Sequence, residues 1–306
     1  MASQKTPIIE RIFEKLWNSA RGELTRSIVT FEDVVSAITA HNAQFGKKVS
    51  PANPANFFKD FTRRVRFGNA NWPPSVLARG YTAWQLTGES RSFEFIRLVP
   101  GQTKPFVGAV NDPSQNSPVH DISSVVVPLP VRAMARADES SLLQLAVRLR
   151  VIETHFSLFS PKKEIVRQIE HLQNSVKLRN SEIDAIFLGT EEQRGRLSEF
   201  LIACEAKARN EDITMAQLIR QPIALLDAMP KRMSVVPIVI RALANSRFQV
   251  VEFEEVFRSA VSEIKQRGVL KQRSETVYQL RPSIPGLAQA PRRGRVRDDD
   301  SELTLF

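Results

Sequence analysis

The chain has 306 residues, 42% hydrophobic and 25% charged, an ordinary globular composition long enough for a sizeable core and for two domains. Forty-three Lys and Arg against thirty-three Asp and Glu leave a net charge of +10, which favours a polyanionic partner, nucleic acid first. The single cysteine, Cys204, excludes an internal disulfide and a paired-cysteine zinc site.

His41, His120, His155 and His171 show no metal-ligand spacing, which argues against a zinc site or an HNH-type nuclease. No phosphate-binding P-loop, dinucleotide fingerprint or internal repeat is visible, so ATP-driven translocation has no support. Charges interrupt the apolar pattern of the N-terminal stretch, and no run reaches the length of about eighteen apolar residues that a membrane span needs. The expectation is a cytoplasmic, intracellular protein with no membrane contact.

In chain order, Ile8, Ile9, Ile12, Phe13, Leu16 and Trp17 recur at helical spacing and predict a first amphipathic helix. Thr30 with Asp33 resembles a capping box and opens a second helix carrying Phe31, Val34, Val35, Ile38 and Phe45, which Gly46 ends. Asn53 and Pro54 then suit the cap and first position of a third helix reading PANFFKDFTRRVRF. Phe57, Phe58, Phe61 and Val65 share its inner side, while Lys59, Arg63 and Arg66 fall opposite. Residues 80–86 and 92–98 read as a hairpin around a turn at 88–91.

Three helices followed by a hairpin, over residues 6–100, resemble a winged helix, a variant of the helix-turn-helix. The resemblance implies that the third helix enters a DNA groove. Lys59, Arg63, Arg64 and Arg66 would then contact phosphates or guanine edges, and Arg91 at the wing tip would reach backbone or minor groove. Asn69 and Asn71 are further candidates for adenine edges.

Residues 101–138 change character, with Pro105, Pro113, Pro118, Pro128 and Pro130, and read as a linker or irregular connection holding one edge strand at 123–127. Leu142, Leu143, Leu145, Ala146, Leu149, Ile152 and Phe156 predict one long buried helix over 140–156. A strand at 164–178 follows, turned at 179–181 into a neighbour that Asp184 opens before Ala185, Ile186, Phe187 and Leu188. In the strand at 200–207 side chains alternate, so Glu205 and Lys207 share one face while Cys204 and Ala206 take the other. A helix at 213–229, kinked at Pro222, strands at 234–243 and 247–252, and a helix at 254–266 complete the pattern. Residues 282–306, rich in Pro, Gly and Arg and then acidic, are expected to be disordered.

Two adjacent strands would thus bring Asp184, Glu205 and Lys207 together. Two carboxylates can hold a hard cation such as Mg²⁺, and a lysine beside them can orient or help deprotonate a water and offset developing charge. Asp-x(20)-Glu-x-Lys resembles the core motif of the PD-(D/E)XK nuclease superfamily, the fold of many restriction endonucleases, over about residues 139–251. That resemblance implies an α+β protein: a winged-helix-like domain at 1–100, a connection at 101–138, a nuclease core at 139–281 and a tail at 282–306. The core would be a restriction-endonuclease-like α/β/α sandwich around a central mixed sheet.

It further implies Asp184 and Glu205 as metal ligands, Lys207 as the third catalytic residue, and a supporting carboxylate from Glu153 or Glu170. Gln217 or Gln221 would hydrogen-bond the lysine or the substrate. The implied activity is Mg²⁺-dependent cleavage of double-stranded DNA by a homodimer, most nearly that of a sequence-specific, type II prokaryotic restriction enzyme. Two other readings stay open, a noncatalytic winged-helix DNA-binding regulator and a nuclease of repair or antiphage defence that cuts by DNA structure.

Overall fold

Apolar residues at helical spacing bury one face of the first helix, and the same logic organises the N-terminal unit around a single aromatic-rich core. The computed structural model describes residues 3–46, 49–86, 88–178, 181–230 and 232–288. Helix α1 (Thr6–Leu16) is followed by a short ladder of β1 (Trp17–Asn18) and β2 (Glu23–Leu24), then β3 (Ile28–Thr30) and α2 (Phe31–Phe45). The capping box at Thr30 and Asp33 is present, so this helix starts where its sequence says. Helices α3 (Lys59–Arg63), α4 (Val65–Asn71) and α5 (Pro74–Ala78) lead to the hairpin β4 (Tyr81–Gln85) and β5 (Arg91–Arg97). The three longer strands form a sheet in the order β3-β5-β4. Its core joins Ile8, Phe13, Val34 and Ile38 to Phe58, Phe61, Trp72, Phe93 and Phe95, with Phe58 stacked on Phe93 at 4.8 Å between ring centroids.

The remainder surrounds one seven-stranded mixed sheet. Strand β6 (Val119–Ser123), α6 (Leu129–Met134), α7 (Glu139–Arg148) and α8 (Val151–Leu158) precede an antiparallel meander of β7 (Val166–Leu178), β8 (Ser181–Gln193) and β9 (Arg196–Lys207). Helix α9 (Met215–Ala228) then crosses over to β10 (Val235–Leu243), which lies parallel to β9. Antiparallel β11 (Arg247–Phe253), α10 (Val261–Arg267), β12 (Gln272–Arg281) and the short α11 (Pro285–Ala288) finish the described chain. The strand order is β6-β12-β11-β10-β9-β8-β7.

Helices cover both faces of this sheet. On one, Leu142, Leu145, Ile152 and Phe156 pack on Phe187, Ile202, Ile238 and Tyr278; on the other, Leu218, Leu225 and Ile264 pack on Ile186, Ala203, Val239 and Val251. Because both faces are buried, β10 and the second half of β9 are mostly apolar and buried almost throughout, interrupted only by Arg241 and by Glu205 and Lys207. The protein is therefore a mixed α+β structure with a large mixed sheet. No helix among the described residues is long and apolar enough to cross a membrane.

Five expectations change here. The single basic helix expected after Asn53 is three pieces, a 3-10 turn at Pro54–Asn56 and then α3 and α4, because Arg64 leaves the helical region at φ −134°, ψ 89°. The long helix expected at 140–156 is broken by Arg150, which adopts a left-handed φ of 53° between α7 and α8. The helix expected over 254–266 shortens to a 3-10 turn at Arg258–Ala260 and α10.

The connection at 101–138 supplies β6, which pairs in parallel with β12, so it is part of the sheet. Its strand lies ahead of the expected 123–127, since Ser124–Val126 form a 3-10 turn and the chain then enters α6 with Pro130 in its first turn. The start of the supposed disordered tail, 282–288, is folded: Ile284 and Leu287 are buried, and the Ser246 hydroxyl bonds both backbone groups of Ile284. Residues 289–306 and the turn residues Arg179 and Asn180 lie outside the described residues.

The break at Arg64 has a partner in the other half of the molecule. Asp212, in the loop after β9, accepts the Val65 N–H at 2.8 Å, and its own N–H donates to the Arg63 carbonyl at 2.8 Å. A carboxylate borrowed from 147 residues away thus satisfies an orphan donor at the start of α4. Removing it as Asp212→Ala is expected to cost about 1 kcal/mol locally. Amide hydrogen exchange should then quicken several-fold across residues 65–71, and unchanged protection there would show that the clasp carries no stability.

Candidate active site

The ladder between β8 and β9 runs to the pair Ala185 and Cys204, which sets Asp184 level with Glu205 one step beyond. Ala185 and Cys204 face the α7 and α8 side, so by alternation Asp184, Glu205 and Lys207 face α9. The structure thereby brings the three predicted residues to one wall of a cavity of about 290 Å³.

Charges buried this deeply need partners, and each has one. The Glu205 carboxylate is 3% exposed. It accepts from Gln217 at 2.6 Å and from the Lys207 ammonium at 2.7 Å on Oε1, and from Gln221 on Oε2. Gln217 and Gln221 therefore hold the carboxylate, where the resemblance had them on the lysine or the substrate. Their spacing of one helical turn on α9 makes this double grip possible. Asp184 accepts the backbone N–H of Ala206 at 2.8 Å through Oδ2, which ties it to the strand that carries the other two.

Lys207 is gripped from the opposite side by Glu139, at 2.6 Å. That residue opens α7, whose first turn is capped by Asp138. It takes the place expected for Glu153 or Glu170, and neither of those reaches the cavity. Glu153 sits in the first turn of α8, 3.6 Å from Arg150, and Glu170 is exposed on the edge strand β7. The register of α7, broken at Arg150, decides the matter: a helix begun at Ser140 and continued to 156 leaves Glu139 outside and keeps Glu153 in play.

Burial, reinforced by the neighbouring charge of Glu205, pushes the Asp184 carboxyl up from its ordinary 3.8 to about 7. Burial alone would pull the Lys207 ammonium down, but Glu205, Glu139 and Asp184 outweigh it and hold lysine above its usual range. Lys207 is thus a fixed cation, which favours charge stabilisation over the base role the sequence left open.

The residues expected to contact DNA divide into three groups. Lys59 and Arg63 line the same cavity as the charged trio. Arg64 and Arg66 are exposed at the junction of α3 and α4. The remaining candidates are committed elsewhere. Asn69 donates to and accepts from the backbone of Phe106, at 2.9 and 2.8 Å. Asn71 is buried, accepting from Ser3 at 2.6 Å and donating to Phe67 at 2.9 Å, so neither amide is available to a base edge. Arg91 opens β5 with a largely buried side chain paired to Glu89 at 2.7 Å, not extended from a wing tip.

No family model, curated protein or solved structure matches this chain. The chemistry of the site is therefore read from its own atoms.

Those atoms fit a hard divalent cation. The donor set is two carboxylates on adjacent strands, with no donor among the described residues bonded to Asp184 Oδ1. Gln221, which holds Glu205, keeps its Oε1 buried and without a partner. Among the described residues no three His, Cys, Asp or Glu side chains form a closed cage. Mg²⁺ does not require one, since it keeps several waters and binds through one or two carboxylates.

The raised Asp184 value has a consequence for stability. The folded chain holds this proton more tightly than the unfolded chain, so stability falls as pH rises from about 4 to about 7, and the full cost persists above that. In metal-free buffer Asp184→Asn is expected to melt above wild type at pH 8, with the gain shrinking toward pH 4. Equal melting temperatures at pH 8 would contradict the desolvated-pair description.

Proposed function

We propose that the chain is a Mg²⁺-dependent endonuclease that hydrolyses phosphodiester bonds of double-stranded DNA, organised like a sequence-specific type II restriction enzyme. The observation that carries this is the Lys207–Glu205 ion pair of 2.7 Å beside a carboxyl, Asp184, that shares its cavity and is held near neutrality. Order of elements supports it: a helical segment, a three-strand meander, a crossover helix and a strand parallel to the third is the arrangement the nuclease resemblance implies. Apart from the short β1-β2 ladder, the N-terminal unit likewise runs helix, strand, helices and hairpin, with β3 beside β5, as a winged helix does. A net charge of +10 suits a polyanionic substrate.

Asp184 and Glu205 would hold the cation, which when bound neutralises phosphate charge and lowers the pKa of water. Gln217 and Gln221 keep Glu205 aimed, and the Ala206 N–H keeps Asp184 aimed. Lys207 remains protonated and offsets charge gathering on the phosphoryl oxygens, while Glu139 fixes its ammonium. In balance, water adds its oxygen to phosphorus, one P–O ester bond breaks, and the products are a phosphomonoester and a free hydroxyl. Cutting both strands at related positions calls for two such sites, which makes a homodimer on DNA the natural assembly.

Lys207→Ala is expected to lower the rate of duplex cleavage in Mg²⁺ by at least about 10²–10³-fold. Duplex affinity, measured by mobility shift without divalent metal, should stay within a few-fold of wild type. Cleavage at the wild-type rate would remove Lys207, and with it the nuclease reading, from this cavity.

A further inference from the structure

We propose that the N-terminal unit completes the active site, with Lys59 and Arg63 of α3 forming an anion subsite for a backbone phosphate beside the one being cut. This rests on the nuclease reading of the cavity. A winged helix that served only to read a groove would carry its basic face away from the catalytic wall. Here the break at Arg64 leaves Arg66 exposed, while Lys59 and Arg63 line the space that Asp184, Glu205 and Lys207 line from the sheet. The Lys59 side chain is half-buried and makes no ion pair or hydrogen bond among the described residues. Arg63 is exposed and only loosely paired, 3.7 Å from Glu211. A cation held partly out of water without a close anion, as Lys59 is, is costly unless something anionic completes it, and the long, half-exposed Arg63–Glu211 pair is weak enough to give way to the same ligand.

Two devices keep this wall in place. The Asp212 clasp fixes the end of α3 to the loop that follows Lys207, so the subsite is tied to the strand that bears the catalytic lysine. Beside it, residues 107–109 pair with 213–215: the Ala109 N–H meets the Ile213 carbonyl at 2.9 Å, and the Met215 N–H meets the Val107 carbonyl at 2.7 Å. Arg220 adds a third tie from α9. Its guanidinium lies 4.5 Å from the Trp84 ring centroid and donates to the Gln85 carbonyl at 2.5 Å, so the helix that grips Glu205 is also fastened to the N-terminal sheet. The phosphate-gripping wall and the metal-holding wall are therefore tied to one another directly, and the ligand class is a phosphodiester next to the scissile linkage.

The test uses the full chain and a duplex cut by the wild type at mapped positions, with equilibrium binding followed against salt in Ca²⁺. Lys59→Gln and Arg63→Gln should each reduce the slope of log affinity against log salt by about 0.9. Arg281→Gln, three strands away from β9, sets the baseline for loss of a remote charge. A neutral methylphosphonate at one linkage flanking the cut should weaken wild-type binding and have no further effect on Lys59→Gln. Slopes equal to the Arg281→Gln baseline, or a methylphosphonate penalty fully additive with both substitutions, would overturn the subsite. If wild type cuts nothing in Mg²⁺ or Mn²⁺, the nuclease reading fails by itself. The salt slopes then still decide whether α3 grips phosphate.

Discussion

Everything at the charged wall of the cavity follows from placing an ammonium and two carboxylates side by side in strands that are buried on both faces. Lys207, Glu205 and Asp184 cannot all be hydrated there, and their mutual attraction repays the lost water only with close partners. The surrounding elements are arranged to supply these. Helix α9 sends two glutamine amides to Glu205, α7 sends a carboxylate to Lys207, and the backbone of β9 bonds Asp184. The residual imbalance is the Asp184 carboxyl, raised by burial and further by the neighbouring Glu205 charge, a cost that a divalent cation would relieve.

The same wall dictates how the two units meet. The loop that leaves Lys207 does not run free over the surface but is stitched to the N-terminal unit by Asp212 and by the short pairing of 107–109 with 213–215. Arg220 ties the opposite end of the contact by stacking on Trp84. A helix expected to lie in a DNA groove is thereby recruited to the cavity, and its break at Arg64 is the local price of that fit.

Period-two alternation was enough to place Glu205 and Lys207 on one face, and an aspartate at the head of the neighbouring strand was enough to add Asp184. The core helices α1 and α2 were equally legible, because their apolar spacing and the Thr30 cap agree. Other features depend on partners far away in the chain. Arg64 leaves the helix for a carboxylate 148 residues on, and nothing within PANFFKDFTRRVRF announces it. Glu139 carried a usable signal, since Asp138 three residues before Ser141 is a cap and an acid in the next position favours a first helical turn. Strand β6 was hidden among prolines, because it sits at a sheet edge where few backbone groups need pairing and its partner β12 is more than 150 residues away.

The most direct measurement is anomalous diffraction from crystals of the full chain soaked in Mn²⁺, a hard cation that substitutes for Mg²⁺ at oxygen sites. A peak in contact with carboxylate oxygens of both Asp184 and Glu205, lost in Glu205→Gln, is the expected result. Saturating Mn²⁺ that leaves this wall empty, or that binds only at other surface carboxylates, would contradict a metal-dependent hydrolase built on these three residues.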